Sequence, residues 1–179
     1  MNPTWVFGYG SLVWRPAFAF DERKPALIEG WTRRFWQASP DHRGTEEAPG
    51  RVVTLVETAG ATCTGMVYRL PPSSQDQILA ALDHREKAGY LQIRCPVHLH
   101  DGRTIPDGLV YIAGPTNANF IGPAPLQQMA RHIADSVGPS GANVEYLMRL
   151  ETALAELGAT DPHVSDLCAA VRRLQDERG

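Results

Sequence analysis

The chain has 179 residues, enough for one sizeable core and short of the length at which chains regularly divide into several domains. Apolar residues make up 43% and charged residues 21%, ordinary globular usage that excludes a disordered chain or a coiled coil. With 17 Lys and Arg against 20 Asp and Glu, the net charge is −3, so the molecule as a whole carries no basic footprint for nucleic acid.

No apolar run approaches the roughly 20 residues that span a bilayer, and no basic stretch followed by a long apolar segment opens the chain. The expectation is one cytoplasmic domain over residues 1–179, with no membrane partner. Cys63, Cys95 and Cys168 are far apart and form no C-x-x-C pair, which argues against a zinc site and a disulfide framework. They read as packed thiols in a reducing compartment.

In chain order, Trp5-Val6-Phe7 is a short apolar start that runs into the glycine-broken turn Gly8-Tyr9-Gly10-Ser11. Ala26 to Ala38, Arg51 to Glu57 and Thr64 to Leu70 read as strands, rich in aromatic and β-branched residues. Pro71-Pro72-Ser73-Ser74 ends the third and caps a helix over Gln75 to Lys87. Leu91 to Leu99 and Leu109 to Ala113 read as strands again. The last third is helical: Pro125–Val137, Asn143–Leu157 and Pro162–Gln175, with Gly158 as a stop and Pro162 as a start. Strands first and helices later indicate an α+β fold, a curled, mainly antiparallel sheet with helices packed on it.

Three segments could carry chemistry. In Gly8-Tyr9-Gly10-Ser11-Leu12-Val13, two glycines let backbone approach a ligand, and successive N–H groups can face a carboxylate or an oxyanion. A dinucleotide loop would need glycine where Val13 stands and a helix after it, and Trp14-Arg15-Pro16 does not start one. The turn is also readable as a plain strand-end turn.

The second candidate is Glu86. On a helical wheel of about 100° per residue, with Ile78 at 0°, Leu82 falls near 40°, Glu86 near 80° and Leu79 near 100°. Glu86 therefore shares the apolar face, where desolvation raises a carboxyl pKa towards that of a useful general base. Pairing with Arg85 or another Arg as the helix ends is the competing reading. Glu151 also falls on an apolar stripe, that of Val144, Leu147, Met148 and Leu154, so the stripe alone is not specific.

The third is Ser39-Pro40-Asp41-His42-Arg43-Gly44, which reads as a polar loop because a charge relay needs side chains that converge in space. His98 and His100 share a strand face without a third metal ligand. Trp31-Thr32-Arg33-Arg34-Phe35-Trp36 reads as a strand with alternating faces.

Eight segments, in order over residues 5–175, resemble the ChaC family of γ-glutamylcyclotransferases. They are Val6 to Leu12, Arg33 to Gln37, Asp41 to Gly44, Pro49 to Leu55, Leu82 to Tyr90, Gly122 to Leu126, Gly138 to Asn143 and Glu145 to Leu147. The resemblance implies a small β-barrel ringed by helices, with a turn over Gly8 to Val13 that holds the γ-glutamyl group and a catalytic Glu86. It also implies conversion of reduced glutathione into 5-oxoproline and cysteinylglycine, without metal or cofactor. Glu151 has no counterpart in the pattern. Two features depart from it: Phe120 stands where the family often has Tyr, and Thr45-Glu46-Glu47-Ala48 is unusually acidic. The alternatives are a cyclotransferase for other γ-glutamyl amino acids or amines, and a non-catalytic binding protein linked to cation transport.

Overall fold

In the computed structural model, which describes residues 4–83 and 89–179, the strand-forming first two thirds close into a barrel. β1 (Trp5–Gly8) leads into a 3-10 turn (Ser11–Val13), then β2 (Glu22–Ser39), β3 (Gly50–Arg69) and α1 (Gln75–Asp83). β4 (Leu91–Leu99) and β5 (Thr104–Ile112) complete the sheet, in the order β1-β3-β2-β4-β5. β1 is antiparallel to β3 and parallel to β5, and β4 is antiparallel to both β2 and β5. This is the expected mixed, mainly antiparallel barrel. Then come α2 (Leu126–Asp135), the hairpin β6 (Val137–Gly138) and β7 (Gly141–Ala142), α3 (Asn143–Glu156) and α4 (Pro162–Arg178).

The chain divides into two compact units: Met1–Thr32 with Leu55–Ala118, and Arg33–Thr54 with Asn119–Gly179. In the first, Val6, Leu70, Ile78, Leu82, Leu109 and Tyr111 form a buried cluster, with Phe18, Leu79 and Tyr90 packed on it. Ile78 and Leu82 are the face of α1 that the three- and four-residue spacing predicts, each worth about 1.5–3 kcal/mol when buried.

Three strands exceed their sequence signals, β2 by starting at Glu22, four residues before Ala26. Arg51–Glu57 and Thr64–Leu70 belong to one strand, β3, which continues through Gly60 at φ +75°. Partner strands decide a sheet more than local propensity does. β5 starts at Thr104, five residues before its apolar run, because Ile105 and Gly108 pair with Val97 and Cys95. The register shifts between Cys95 and Val97, placing Pro96, which has no N–H, in a bulge.

In the second unit, Asp161 caps α4 by accepting from the N–H groups of His163 (3.1 Å) and Val164 (3.4 Å), with Pro162 in the first turn. The same carboxylate pairs at 2.8 Å with Arg33, which is 2% exposed. Gly158, at φ +70°, follows the last residues of α3 as the sequence predicts. The β6–β7 hairpin has no sequence signature, since two-residue strands show no periodicity.

His163 Nε2 accepts the N–H of Phe35 at 3.0 Å. Burial, and secondarily the Arg34 guanidinium, push its pKa down to about 4, so the folded ring stays neutral. The unfolded imidazole titrates near 6.5. This stabilisation is therefore complete above pH 6.5 and is lost as pH falls from there towards 4. Urea unfolding at pH 7 and pH 4.5 should show a loss of about 2 kcal/mol from this group, after discounting partial exposure. A His163→Gln variant should lack that part of the slope; equal slopes would contradict it.

Candidate functional site

The glycine turn is folded tightly onto its own strand. A Cβ on Gly8 would lie 2.4 Å from Leu12 Cβ, and one on Gly65 would lie 2.2 Å from the Gly8 carbonyl oxygen. Glycine at position 8 is thus required by packing, whatever else the turn does. Inside the turn, Val13 N donates to Gly10 O at 2.9 Å, and Arg15 N to Ser11 O at 2.8 Å. The N–H groups of Gly10, Ser11 and Leu12 precede the first of these bonds. Gly8, Tyr9 and Val13 are buried, whereas Gly10, Ser11 and Leu12 are half-buried.

Two tyrosine hydroxyls hold the turn to the barrel. Tyr9 Oη donates to the Tyr111 carbonyl at 2.9 Å, and Tyr68 Oη to the Leu12 carbonyl at 2.5 Å. Phe18 and Phe20 meet the Tyr68 ring edge-on, and burial pushes its phenol above the ordinary value, which keeps it a donor.

Glu86 lies outside the described residues. α1 is described to Asp83, whose Oδ1 accepts from Tyr111 Oη at 2.7 Å and from the Gln92 side-chain amide. That amide also lies 3.3 Å from Tyr111 Oη. Gly89, the first described residue after Asp83, has a φ of +80° that only glycine adopts readily. A Cβ there would also come within 2.9 Å of the Asn117 amide nitrogen.

The loop Ser39 to Gly44 contains no charge relay. Ser39 Oγ accepts from Arg43 N at 3.0 Å, while His42 is exposed and lies 3.1 Å from Ser140 Oγ. Arg43 is more deeply placed than a polar loop suggests: it is buried, donates to the Ala142 carbonyl (3.0 Å) and Glu145 (3.2 Å), and stacks on Tyr146. Glu151 pairs with Arg172 at 2.5 Å. His98 bonds Thr104, and His100 falls in the turn beyond β4. Among the described residues, no group of three or more His, Cys, Asp or Glu is arranged to hold a metal, and no helix is long and apolar enough to cross a membrane. Tyr68, Tyr111 and Asp83 were not legible in the sequence, because the bonds Tyr68–Leu12, Tyr9–Tyr111 and Tyr111–Asp83 join residues 28 to 102 apart along the chain.

A family model described as ChaC-like protein matches residues 4–174. The chain is 42% identical to γ-glutamylcyclotransferase 2-3 of Arabidopsis thaliana, over 97% of this chain and 90% of that protein. It is 39% identical to the glutathione-specific γ-glutamylcyclotransferase of Escherichia coli strain K12, over 98% and 76%. A crystal structure of a γ-glutamylcyclotransferase specific to glutathione from yeast superposes with a TM-score of 0.89 at 32% identity, covering 97% of each chain.

Proposed function

The chain belongs to the ChaC-like family, and from that premise we propose that it is a γ-glutamylcyclotransferase that degrades reduced glutathione. The observation that carries the reading is similarity in both sequence and fold, over 97–98% of this chain, to relatives named for that substrate. The reading takes residues 1–179 as one catalytic domain.

The reaction is an intramolecular acyl transfer. The substrate's α-amine attacks its own γ-carbonyl carbon, a C–N bond forms, and the C–N bond to the cysteine nitrogen breaks. No water is consumed, and atoms and charge balance without a cofactor. At neutral pH the α-amine is an ammonium, so a base must remove its proton before attack. The leaving nitrogen must then receive one. In this proposal Glu86 takes the ammonium proton before attack and passes it to the cysteine nitrogen, and the second proton that the attacking nitrogen sheds as the ring amide forms follows it, so that cysteinylglycine leaves as an ammonium. An extended γ-glutamyl chain does not cyclise, so the pocket must also hold amine and carbonyl in near-attack geometry.

The turn Gly8 to Val13 supplies the positioning. The leading N–H groups of Gly10, Ser11 and Leu12 suit an anionic oxygen, either the α-carboxylate or the developing oxyanion. Anchored carbonyls at Leu12 and Tyr111 keep those donors from turning away. Because backbone does this work, Ser11→Ala should change kcat/KM by no more than about threefold. A loss of 100-fold would move the role to the Ser11 hydroxyl.

The test is a direct product assay. Purified protein with reduced glutathione should release 5-oxoproline and cysteinylglycine in equal amounts. No product from folded protein would overturn glutathione as substrate. Turnover of γ-glutamylalanine in the same assay would then identify a cyclotransferase with a different leaving-group pocket.

A further inference from the structure

We infer that Tyr68 of β3 is a positioning residue for this reaction: its hydroxyl, bonded to the Leu12 carbonyl, sets the direction in which the glycine turn presents its N–H groups. The inference rests on the reading that this turn holds the substrate.

Three successive carbonyls of the turn are engaged. Gly10 O accepts from Val13 N at 2.9 Å, and Ser11 O accepts from Arg15 N at 2.8 Å and Trp14 N at 3.2 Å. Leu12 O accepts from Tyr68 Oη at 2.5 Å, and the hydroxyl is the donor because a carbonyl has no proton to give. The first two bonds are local backbone; the third comes from a strand 56 residues further on. Among the described residues no peptide is cis, and in a planar trans peptide C=O and N–H point opposite ways. With the Gly10 and Ser11 carbonyls turned forward along the chain, the N–H groups of Ser11 and Leu12 face back, as at a helix start.

The Leu12–Val13 peptide is tied at both polar ends, its C=O to Tyr68 and its N–H to Gly10 O. Without the hydroxyl that plane can rotate, which takes the Val13 N–H off Gly10 O. The Gly10–Ser11 plane, which carries the middle donor, is then free as well. Tyr68 is a firm point to hold from. It is fully buried, stands opposite Val6 in the β1–β3 ladder, and has Phe18 and Phe20 edge-on to its ring at 5.6 and 5.1 Å. The Tyr9 hydroxyl holds only its own side chain to Tyr111, not a carbonyl of the turn.

The experiment compares wild type, Tyr68→Phe and Ile133→Val, reading kcat/KM per folded protein, melting temperature and amide hydrogen exchange. The substrate is glutathione, or γ-glutamylalanine if that is what the wild type turns over. Tyr68→Phe keeps the ring and removes the bond. It should lower the melting temperature by about 2–4 °C and kcat/KM by about 10- to 100-fold, the usual result of misplacing a substrate by ~1 Å. Val13 N–H should exchange about tenfold faster, beyond any change at Leu70 N–H, which is bonded to Thr4 O at 2.9 Å. Ile133→Val trims a fully buried side chain of α2 and should cost a similar 2–4 °C or so with kcat/KM within about threefold of wild type. Unchanged exchange at Val13 would overturn the inference alone, whatever the activity. Faster exchange with wild-type kcat/KM would show that the turn does not hold the substrate, and that reading falls with the inference. An equal loss of activity in Ile133→Val would assign the effect to general destabilisation and overturn the positioning role.

Discussion

Glu86→Gln is expected to give folded protein whose release of 5-oxoproline from glutathione is close to background. The loss should be on the order of 100- to 10,000-fold in kcat, the usual contribution of a general acid–base group. The argument is chemical. The nucleophile is an amine that arrives protonated, and the turn Gly8 to Val13 offers backbone donors, the Ser11 hydroxyl and the Tyr9 hydroxyl already given to the Tyr111 carbonyl, none of which is a base at neutral pH. Gln matches Glu in size and keeps one acceptor oxygen, so binding and fold should persist. KM close to wild type, with an unchanged melting temperature, would place the loss in the chemical step. Retention of most of the activity would remove Glu86 from the mechanism and send the search to another carboxylate.

The largest expected effect on stability is at Arg51. This side chain is 5% exposed, and its Nη1 donates to the Phe35 carbonyl at 2.9 Å while its Nε donates to His132 Nδ1 at 3.0 Å. Arginine Nε can only donate, so His132 Nδ1 must accept, and the ring proton sits on Nε2, 2.7 Å from the Pro49 carbonyl. Asn143 closes the arrangement from α3, accepting from Arg51 N at 2.6 Å and donating to Arg51 O at 2.7 Å. One residue of β3 thereby holds β2, α2 and α3. Burial lowers the guanidinium's pKa, so Arg51→Met relieves a desolvation cost while orphaning two acceptors. The orphaned groups dominate at ~1–3 kcal/mol each, giving a net loss of about 3 kcal/mol. For a chain of this size the melting temperature should fall by about 6–12 °C. A shift under about 2 °C would show that water replaces the guanidinium at no cost. Arg51→Lys should recover only part of the loss, because an ammonium cannot span both acceptors as a fork does.

What the sequence made visible was local. Gly158 and Pro162 mark the gap between the last two helices because a left-handed glycine and a first-turn proline act within one turn of chain. Ile78 and Leu82 face the core because helical spacing orders neighbours three and four apart. The glycine turn was found, but the reason for Gly8 was not: it is the approach of Leu12 Cβ and of Gly65 opposite, which no local pattern announces. Long-range pairing was hidden altogether. Arg33 and Asp161 are 128 residues apart, and Arg33 looked like the cationic half of an alternating strand rather than a buried ion pair. β3 was broken at its weakest residues, Thr58 to Cys63, because the partners that carry it through Gly60 lie elsewhere in the chain. The wheel argument for Glu86 remains a sequence argument, since residues 84–88 lie outside those described.

The parallel pairing of β1 with β5, Val6 opposite Leu109 and Phe7 opposite Val110, sets an order of events during synthesis. The barrel's seam joins segments about 100 residues apart, a long-range closure of the kind that slows folding. At roughly 5–20 residues per second, the first strand waits about 5–20 s on the ribosome before its second neighbour exists. Until then the edge of β1 that meets β5 has no partner strand, the kind of edge at which other chains can pair. The Tyr9 hydroxyl also lacks its acceptor until residue 111 has emerged. The glycine turn is therefore fully anchored only with the closing of the seam, and a nascent chain stalled before β5 holds it by the Tyr68 hydroxyl alone.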